Sequence, residues 1–309
     1  MTGDFTYPSP GASGTSPVSG SAYAGCFTTP VNLVLEGGAM RGQFTAGVLD
    51  FFMEQGLWAE HVIGTSAGAL NGFHYVAGDF GRSCYLNTKY CRDWRYFSMR
   101  SFAFTGNAFG TEFVFDTLIN QLEPFDFNSF RGSPMRLTSV ASNLETGEAD
   151  YHTFKDPQKD LPYLIASSSI PLLSKVVEVD DKKLLDGGTC DSVPFLYSLL
   201  TGAEKHIVVL TQDAGYKKGS YKLMALVRQV YSSYPHYAER FQYRHLEYNR
   251  TYRLLSRLHR MGKIFVIQPP KPVSVVPMER NPDKLLALYG DGYDEAARCW
   301  DALIDYLAR

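Results

Sequence analysis

Two short apolar runs near the start of the chain are each closed by a glycine-rich turn that opens a helix. Residues 31–35, Val-Asn-Leu-Val-Leu, read as a buried strand that leads through Gly37-Gly38-Ala39-Met40-Arg41-Gly42 into a predicted helix at about 42–55. Phe44, Val48, Phe51 and Phe52 fall on one side of that helix, and Gly56 stops it. Residues 61–63 form a second predicted strand, followed by a helix over 66–77 that Gly78 ends. This alternation predicts a parallel sheet with helices on both faces. Further strands are expected at 137–141, 206–210 and 264–267, the last closed by Gln268-Pro269-Pro270. Residues 176–179 and 183–185 alternate around Asp180-Asp181, a hairpin signal. A short helix at 164–170 is cut off by Pro171, and a last helix is expected at roughly 294–307.

Three stretches break the pattern. Residues 79–134 are aromatic and irregular; most of their rings are expected in the core, and a minority suit the walls of a cleft for an acyl chain. Residues 216–263 carry eleven Lys or Arg against Glu239 and Glu247, with eight tyrosines. Pro235 is placed to start a long helix there, with Phe241, Tyr248, Tyr252, Leu255 and Leu258 on one face and Arg250, Arg253, Arg257 and Arg260 on another. The bland reading is a solvated basic face over a core stripe; the sharper one is a cap that lies against anionic phospholipid. The first 25 residues are mostly Gly, Ser, Thr and Pro, with Asp4 their only charge, so a flexible arm is expected over 1–30 and not a signal peptide.

With 309 residues, 45% hydrophobic and 20% charged, the chain suits one large globular domain or a domain with a cap. No run of roughly 18 apolar residues suggests a membrane span. A formal net charge of −2 gives nucleic-acid binding no electrostatic support. Cys26, Cys84, Cys91, Cys190 and Cys299 are scattered and odd in number, as expected for free thiols in a reducing cytoplasm. There is neither an acidic calcium loop nor a Cys/His ligand spacing, and no metal or cofactor is expected.

The chemistry concentrates at Gly64-Thr65-Ser66-Ala67-Gly68, a Gly-X-Ser-X-Gly turn between strand and helix. Such a turn holds its serine in a strained backbone conformation, and a Cβ at either flanking glycine would collide with the neighbouring strand or helix. The hydroxyl then sits at a helix N-terminus, where unpaired N–H groups and the helix dipole favour negative charge. Serine acyl transfer needs a nucleophile and a separate set of oxyanion donors, and the two glycine-rich turns are suited to supply both side by side. A third feature is Leu185-Asp186-Gly187-Gly188, a carboxylate at a strand end before two turn-forming glycines.

In this order the three motifs resemble the patatin-like phospholipase family, over about residues 31–210 through motifs and strands and to about 270 in layout. The resemblance implies a three-layer α/β/α sandwich with a mainly parallel central sheet and a helical basic cap. It divides the chain into a catalytic domain at 31–275, with the cap at 216–263 inside it, and a helical extension at 276–309. It also implies that Ser66 is the nucleophile and Asp186 its base, that Gly37, Gly38 and Ala39 form the oxyanion hole, and that Arg41, Gly42, Gly64, Gly68, Gly187 and Gly188 support them. One position departs from the pattern: Ala39 stands where the family has a third glycine, and alanine tolerates a positive φ poorly.

Chemistry supports the same pairing, because a hydroxyl needs a neighbouring base and a carboxylate shielded from water has its pKa raised toward that task. None of the seven histidines follows a late strand in a Gly-rich loop, and His61 and His74, which flank the serine turn, read as structural. The expected activity is hydrolysis of lipid carboxylic esters through an acyl-enzyme, in the cytoplasm with peripheral membrane contact through 216–263. The alternative is a non-catalytic lipid-surface binding protein of the same fold. A dinucleotide site is disfavoured, since Glu60 precedes its strand where a ribose-binding acid ends one.

Overall fold

The apolar runs become strands of one eight-stranded sheet in the computed structural model, which describes residues 28–309. The strands are β1 (Thr29–Leu35), β2 (Ala59–Thr65), β3 (Arg136–Asn143), β4 (Ala149–Thr153), β5 (Val177–Val179), β6 (Lys182–Asp186), β7 (His206–Val209) and β8 (Phe265–Ile267). The helices are α1 (Gly42–Glu54), α2 (Ala67–Val76), α3 (Arg82–Tyr90), α4 (Met99–Thr105), α5 (Phe127–Gly132), α6 (Leu161–Ser168), α7 (Phe195–Leu200), α8 (Met224–Val230), α9 (Pro235–Arg260), α10 (Pro282–Arg298) and α11 (Trp300–Ala308). Most of the N-terminal arm expected at 1–30 lies outside the described residues. β1 starts two residues before the apolar run because Trp58 O accepts the Thr29 N–H at 2.7 Å.

The sheet order is β5-β6-β3-β2-β1-β7-β8, with β4 also paired to β3. β3, β2, β1, β7 and β8 are parallel neighbours, and the antiparallel strands gather at the β3 end. Parallel strands are covered on both faces, which is why they read as continuous apolar runs and not as alternation. The two faces separate residue by residue. Leu33 and Leu35 of β1 point into a core shared with α1, α2, α10 and α11, whereas Val34 points the other way, against α7 and α9. The result is the three-layer α/β/α sandwich.

The register around β3 determines what meets what. β2 covers residues 136–140 of one edge of β3 in parallel, with Thr65 opposite Val140, and β4 occupies the other edge. β6 must therefore take up the first edge where β2 stops, running antiparallel with Asp186 opposite Ala141. The C-terminal ends of β2 and β6 thus abut. The β5–β6 hairpin turns on Asp180 and Asp181, both with positive φ (48° and 59°), as a two-residue turn that follows the strand twist requires.

Three parts differ from the sequence expectation. Residues 79–134 hold α3, α4, α5 and a wider π-helical segment, Phe113–Leu122. Their helical period was masked because the rings serve several purposes. Phe125 and Phe130 pack on Phe73 at 4.6 and 4.9 Å, whereas Tyr96, Phe97 and Phe109 line a cavity. Second, β4 and α7 were not anticipated; β4 lacks the apolar run of its neighbours and is only half-buried.

Third, the single last helix is two. α10 begins at Pro282, where the Asn281 side chain accepts the Asp283 N–H at 3.0 Å, an N-cap before proline that the sequence already contained. α10 lies directly on α1. A Cβ on Gly47 would come within 2.1 Å of the Tyr289 carbonyl oxygen, and one on Gly292 within 2.0 Å of that of Phe44, so the two backbones touch. Among the described residues no helix is long and apolar enough to cross a membrane.

Candidate active site

β2 ends at Thr65 and α2 begins at Ala67, which leaves Ser66 to make the whole turn with φ 54° and ψ −121°. A residue with a Cβ holds such a backbone only where its surroundings enforce it. Here they do. A Cβ on Gly64 would lie 2.6 Å from Ala69 N, and one on Gly68 2.4 Å from Leu35 O, so both flanking positions have room only for hydrogen. The Ser66 N–H is held by Ser167 Oγ at 2.8 Å, and that hydroxyl donates in turn to Val140 O at 2.6 Å.

Because β2 and β6 meet end to end, Asp186 faces Ser66, and Ser66 Oγ donates to Asp186 Oδ2 at 2.6 Å. The other carboxylate oxygen accepts the Gly188 N–H at 2.7 Å. The Asp186 backbone is anchored too: its N–H reaches Ser169 O at 2.8 Å, and Ser142 Oγ donates to its carbonyl at 2.9 Å. Gly187 allows this approach, since a Cβ there would fall 2.2 Å from Val140 O. Ser66 and Asp186 are each only 8% exposed. Burial raises the Asp186 pKa above the ordinary carboxylate value, against the pull of the Ser66 and Gly188 hydrogen bonds and the positive charges of Arg244 and Lys218.

The first glycine-rich turn packs beside this pair. A Cβ on Gly37 would come within 3.2 Å of Ser66 Cβ. Its N–H, however, is taken by Ser192 O at 3.1 Å, so Gly37 offers close approach and no free donor. Ala39 adopts φ 50° despite its side chain. The turn is tied down around it by Met40 N–H to Pro277 O (3.3 Å) and Arg41 N–H to Gly38 O (3.1 Å). Among the described residues the N–H groups of Gly38 and Ala39 have no hydrogen-bond acceptor.

Two cavities meet at Ser66. One, of about 80 Å³, is walled by Leu70, Leu86, Tyr96, Phe97, Phe109 and Val114. The other, of about 190 Å³, lies on the Asp186 side and is lined by Arg41, Lys218 and Arg244 together with the glycine turn. His74 lines the apolar cavity, where burial pushes its pKa down to about 3. His61 is buried in β2, bonded through Nε2 to Thr138 Oγ1 at 2.7 Å and pushed down to about 4 by burial. Among the described residues the Ser66 hydroxyl bonds Asp186 and no histidine. Glu60 sits at the opposite end of β2, ion-paired with Arg136 at 3.0 Å.

Sequence reasoning missed Ser142 and Ser167, whose hydroxyls hold the two key backbones. The signal for Ser167 was the polar run Ser167-Ser168-Ser169 that closes an apolar helix. It also read Lys218 and Arg244 only as part of a charge excess.

Fold and site together define a class: an α/β/α protein that sets a serine and a carboxylate side by side at the carboxyl end of its sheet. The family described as patatin-like phospholipase matches residues 33–199, over half of the chain. The chain belongs to this family of lipid acyl hydrolases. A second family, described as a domain of unknown function (DUF6363), matches residues 234–308, from the start of α9 to the C-terminal helices. The chain is 26% identical over 292 residues to the uncharacterized protein YjjU of Escherichia coli (strain K12), covering 84% of this chain and 76% of that one. It is also similar to VipD from Legionella pneumophila, with 13% identity and a TM-score of 0.43 over 88% of this chain and 66% of that chain.

Proposed function

We propose that the protein hydrolyses carboxylic esters of lipids through a Ser66–Asp186 dyad and an acyl-enzyme intermediate. The observation that carries this reading is the 2.6 Å hydrogen bond from Ser66 Oγ to a buried carboxylate whose other oxygen is already held. A carboxylate with a raised pKa is a stronger base than a solvated one, and it needs no histidine to receive the serine proton. Ser66 Oγ attacks the ester carbonyl carbon as its proton passes to Asp186. The oxyanion is met by the N–H groups of Gly38 and Ala39, the two unengaged donors of the first turn. Collapse breaks the bond to the alcohol, which leaves with the proton from Asp186. Water then gives a proton to Asp186 and attacks the acyl carbon, and release of the acid returns the proton to Ser66.

The apolar cavity takes the acyl chain by its lining of rings and aliphatic side chains, which continues to Ser66. The test is labelling with a fluorophosphonate, read by intact mass and peptide mapping. A single adduct on Ser66, absent in Ser66→Ala and much slower in Asp186→Asn, is the expected result. A folded wild-type protein that takes no adduct would instead favour a lipid-binding role without catalysis.

Peripheral contact with anionic membrane belongs to the same proposal. The Tyr248, Tyr252 and Leu255 stripe of α9 is buried against the sheet, which leaves Arg250, Arg253, Arg257 and Arg260 exposed on the far side. Vesicle binding should rise with anionic lipid content and fall with salt; equal, salt-independent binding to neutral vesicles would remove this part of the reading.

A further inference from the structure

Resting on the reading that Ser66 attacks an ester, we propose that the basic cavity beside Asp186 receives a phosphomonoester, so that the preferred substrates are acyl esters of a glycerol phosphate. Three basic side chains line this cavity, Arg41 from the first glycine-rich turn, Lys218 from the loop before α8, and Arg244 from α9. Burial and the neighbouring Arg244 push the Lys218 pKa down to about 7, so an anion bound there would favour its charged form. Among the described residues none of the three side chains makes an ion pair or donates a hydrogen bond, Lys218 and Arg244 lie over the Tyr248 and Phe241 rings, and the Nε atoms of Arg41 and Arg244 are buried without an acceptor. On the same helix Arg240 pairs with Glu247 at 2.5 Å, although its Nε too is buried without an acceptor. A buried donor without an acceptor costs stability unless a ligand completes it.

The acids nearby are already committed. Asp186 is held by Ser66 and Gly188. Glu36, at the foot of the glycine turn, accepts Tyr248 Oη at 2.5 Å, Tyr252 Oη at 2.6 Å and the Thr211 N–H at 2.6 Å. Lys218 is held in place deliberately: Asn249 clamps its backbone from both sides at 2.9 Å, and its ammonium lies 3.8 Å from the centre of the Tyr248 ring. Arg244 reaches in from the other wall, with Nη2 3.7 Å from where a Gly188 Cβ would stand.

The chemistry of the ligand follows from this charge. A phosphomonoester carries between one and two negative charges near neutral pH and three acceptor oxygens, which suits three basic donors that no carboxylate touches. A zwitterionic diester would bring an ammonium into the same field. A neutral glyceride would leave all three cations unmatched. Ser66 lines the same cavity, so a phosphate held there stands beside the reacting ester, separated from it by the glycerol carbons.

The experiment compares kcat/KM for a monoacylglycerol, its 3-phosphate and its 3-phosphocholine, with one acyl chain in one neutral detergent, in wild type, Lys218→Met and Arg244→Gln. Thermal melting checks that the variants fold. The phosphomonoester should be preferred by wild type, and its advantage over the neutral ester should drop by about tenfold for each cation removed, the size of one charge-assisted hydrogen bond. Calorimetry with inorganic phosphate and with glycerol 3-phosphate gives a readout independent of turnover, and both should bind wild type and lose affinity in the variants. Equal turnover of the three esters by an active protein overturns the proposal while leaving the dyad intact. Binding of inorganic phosphate without substrate preference assigns the cavity to free phosphate and also overturns it. Loss of the fluorophosphonate adduct on Ser66 would instead count against the dyad, and absence of glycerol 3-phosphate binding against the phosphate site.

Discussion

The two cavities that meet at Ser66 have opposite characters. The apolar one is built from α2, α3 and the aromatic segment that follows, and its walls are rings and aliphatic side chains that pack against one another. The basic one draws Arg41, Lys218 and Arg244 from three distant parts of the chain and leaves them without an ion pair or a hydrogen bond among the described residues. An empty apolar cavity costs stability because its lining forfeits packing contacts, and a chain that fills it restores them. On the basic side the cost is confined to single atoms, the Nε groups of Arg41 and Arg244, at about 1–3 kcal/mol for each buried unpaired polar atom. A ligand would therefore be felt as packing on one side and as hydrogen bonds on the other.

The largest effect that separates the shared centre from its two flanks is expected for Ser66→Ala. Ester hydrolysis should fall by about 10⁴-fold or more and the fluorophosphonate adduct should vanish, with melting unchanged. A residual rate within tenfold of wild type would move the chemistry away from Ser66. Asp186→Asn should lower kcat by about 10²–10⁴-fold, since the amide still accepts a hydrogen bond but takes no proton.

The pH profile gives the sign of the Asp186 shift. A base works only when deprotonated, and the buried carboxylate has its pKa raised, so activity should be lost on acidification through a midpoint above the ordinary carboxylate range and be retained on the alkaline side. An acid limb at or below about pH 4 would contradict a buried base.

A smaller and more selective effect is expected from filling the apolar cavity. Val114→Phe should reduce the ratio of long-chain to butyryl-ester turnover by roughly tenfold, because each methylene denied burial forfeits about 0.8 kcal/mol. An unchanged ratio would place the acyl chain elsewhere. The smallest effect is expected at Ala39. Ala39→Gly relieves a positive φ but loosens the unfolded chain, and these oppose each other, so stability should move by less than about 1 kcal/mol. Urea unfolding checks this, and a loss of several kcal/mol would mean that the Ala39 methyl packs more tightly than its backbone strain suggests.

Much of this molecule was legible from residue order. The parallel strands announce themselves as apolar runs because both of their faces are buried, and the Gly-X-Ser-X-Gly turn because only hydrogen fits at Gly64 and Gly68. Pro235 marked the start of α9 through its fixed φ and missing N–H. Those are local demands, written in local sequence. Ala39 was a local conflict instead, a side chain at a position that favours glycine, and the structure resolves it by tying the turn to Pro277 and Gly38.

What only the tertiary structure decided is the meeting of distant parts. Nothing local says that β6 continues the edge of β3 where β2 stops, yet that register brings Asp186 within 2.6 Å of Ser66 across 120 residues of chain. The donors of the first turn were sorted in the same way. Gly37 loses its N–H to Ser192, a residue far along the chain, and Gly38 and Ala39 keep theirs. Lys218 and Arg244 were visible as charges but not as members of a site, because charge excess is a property of composition and an unmatched cation is a property of its neighbours. Sequence by itself determined the parallel strands, the start of α9 and the serine turn. Three-dimensional packing decided which side chains share a cavity, since hydrogen bonds and Coulomb interactions act through space and not along the chain.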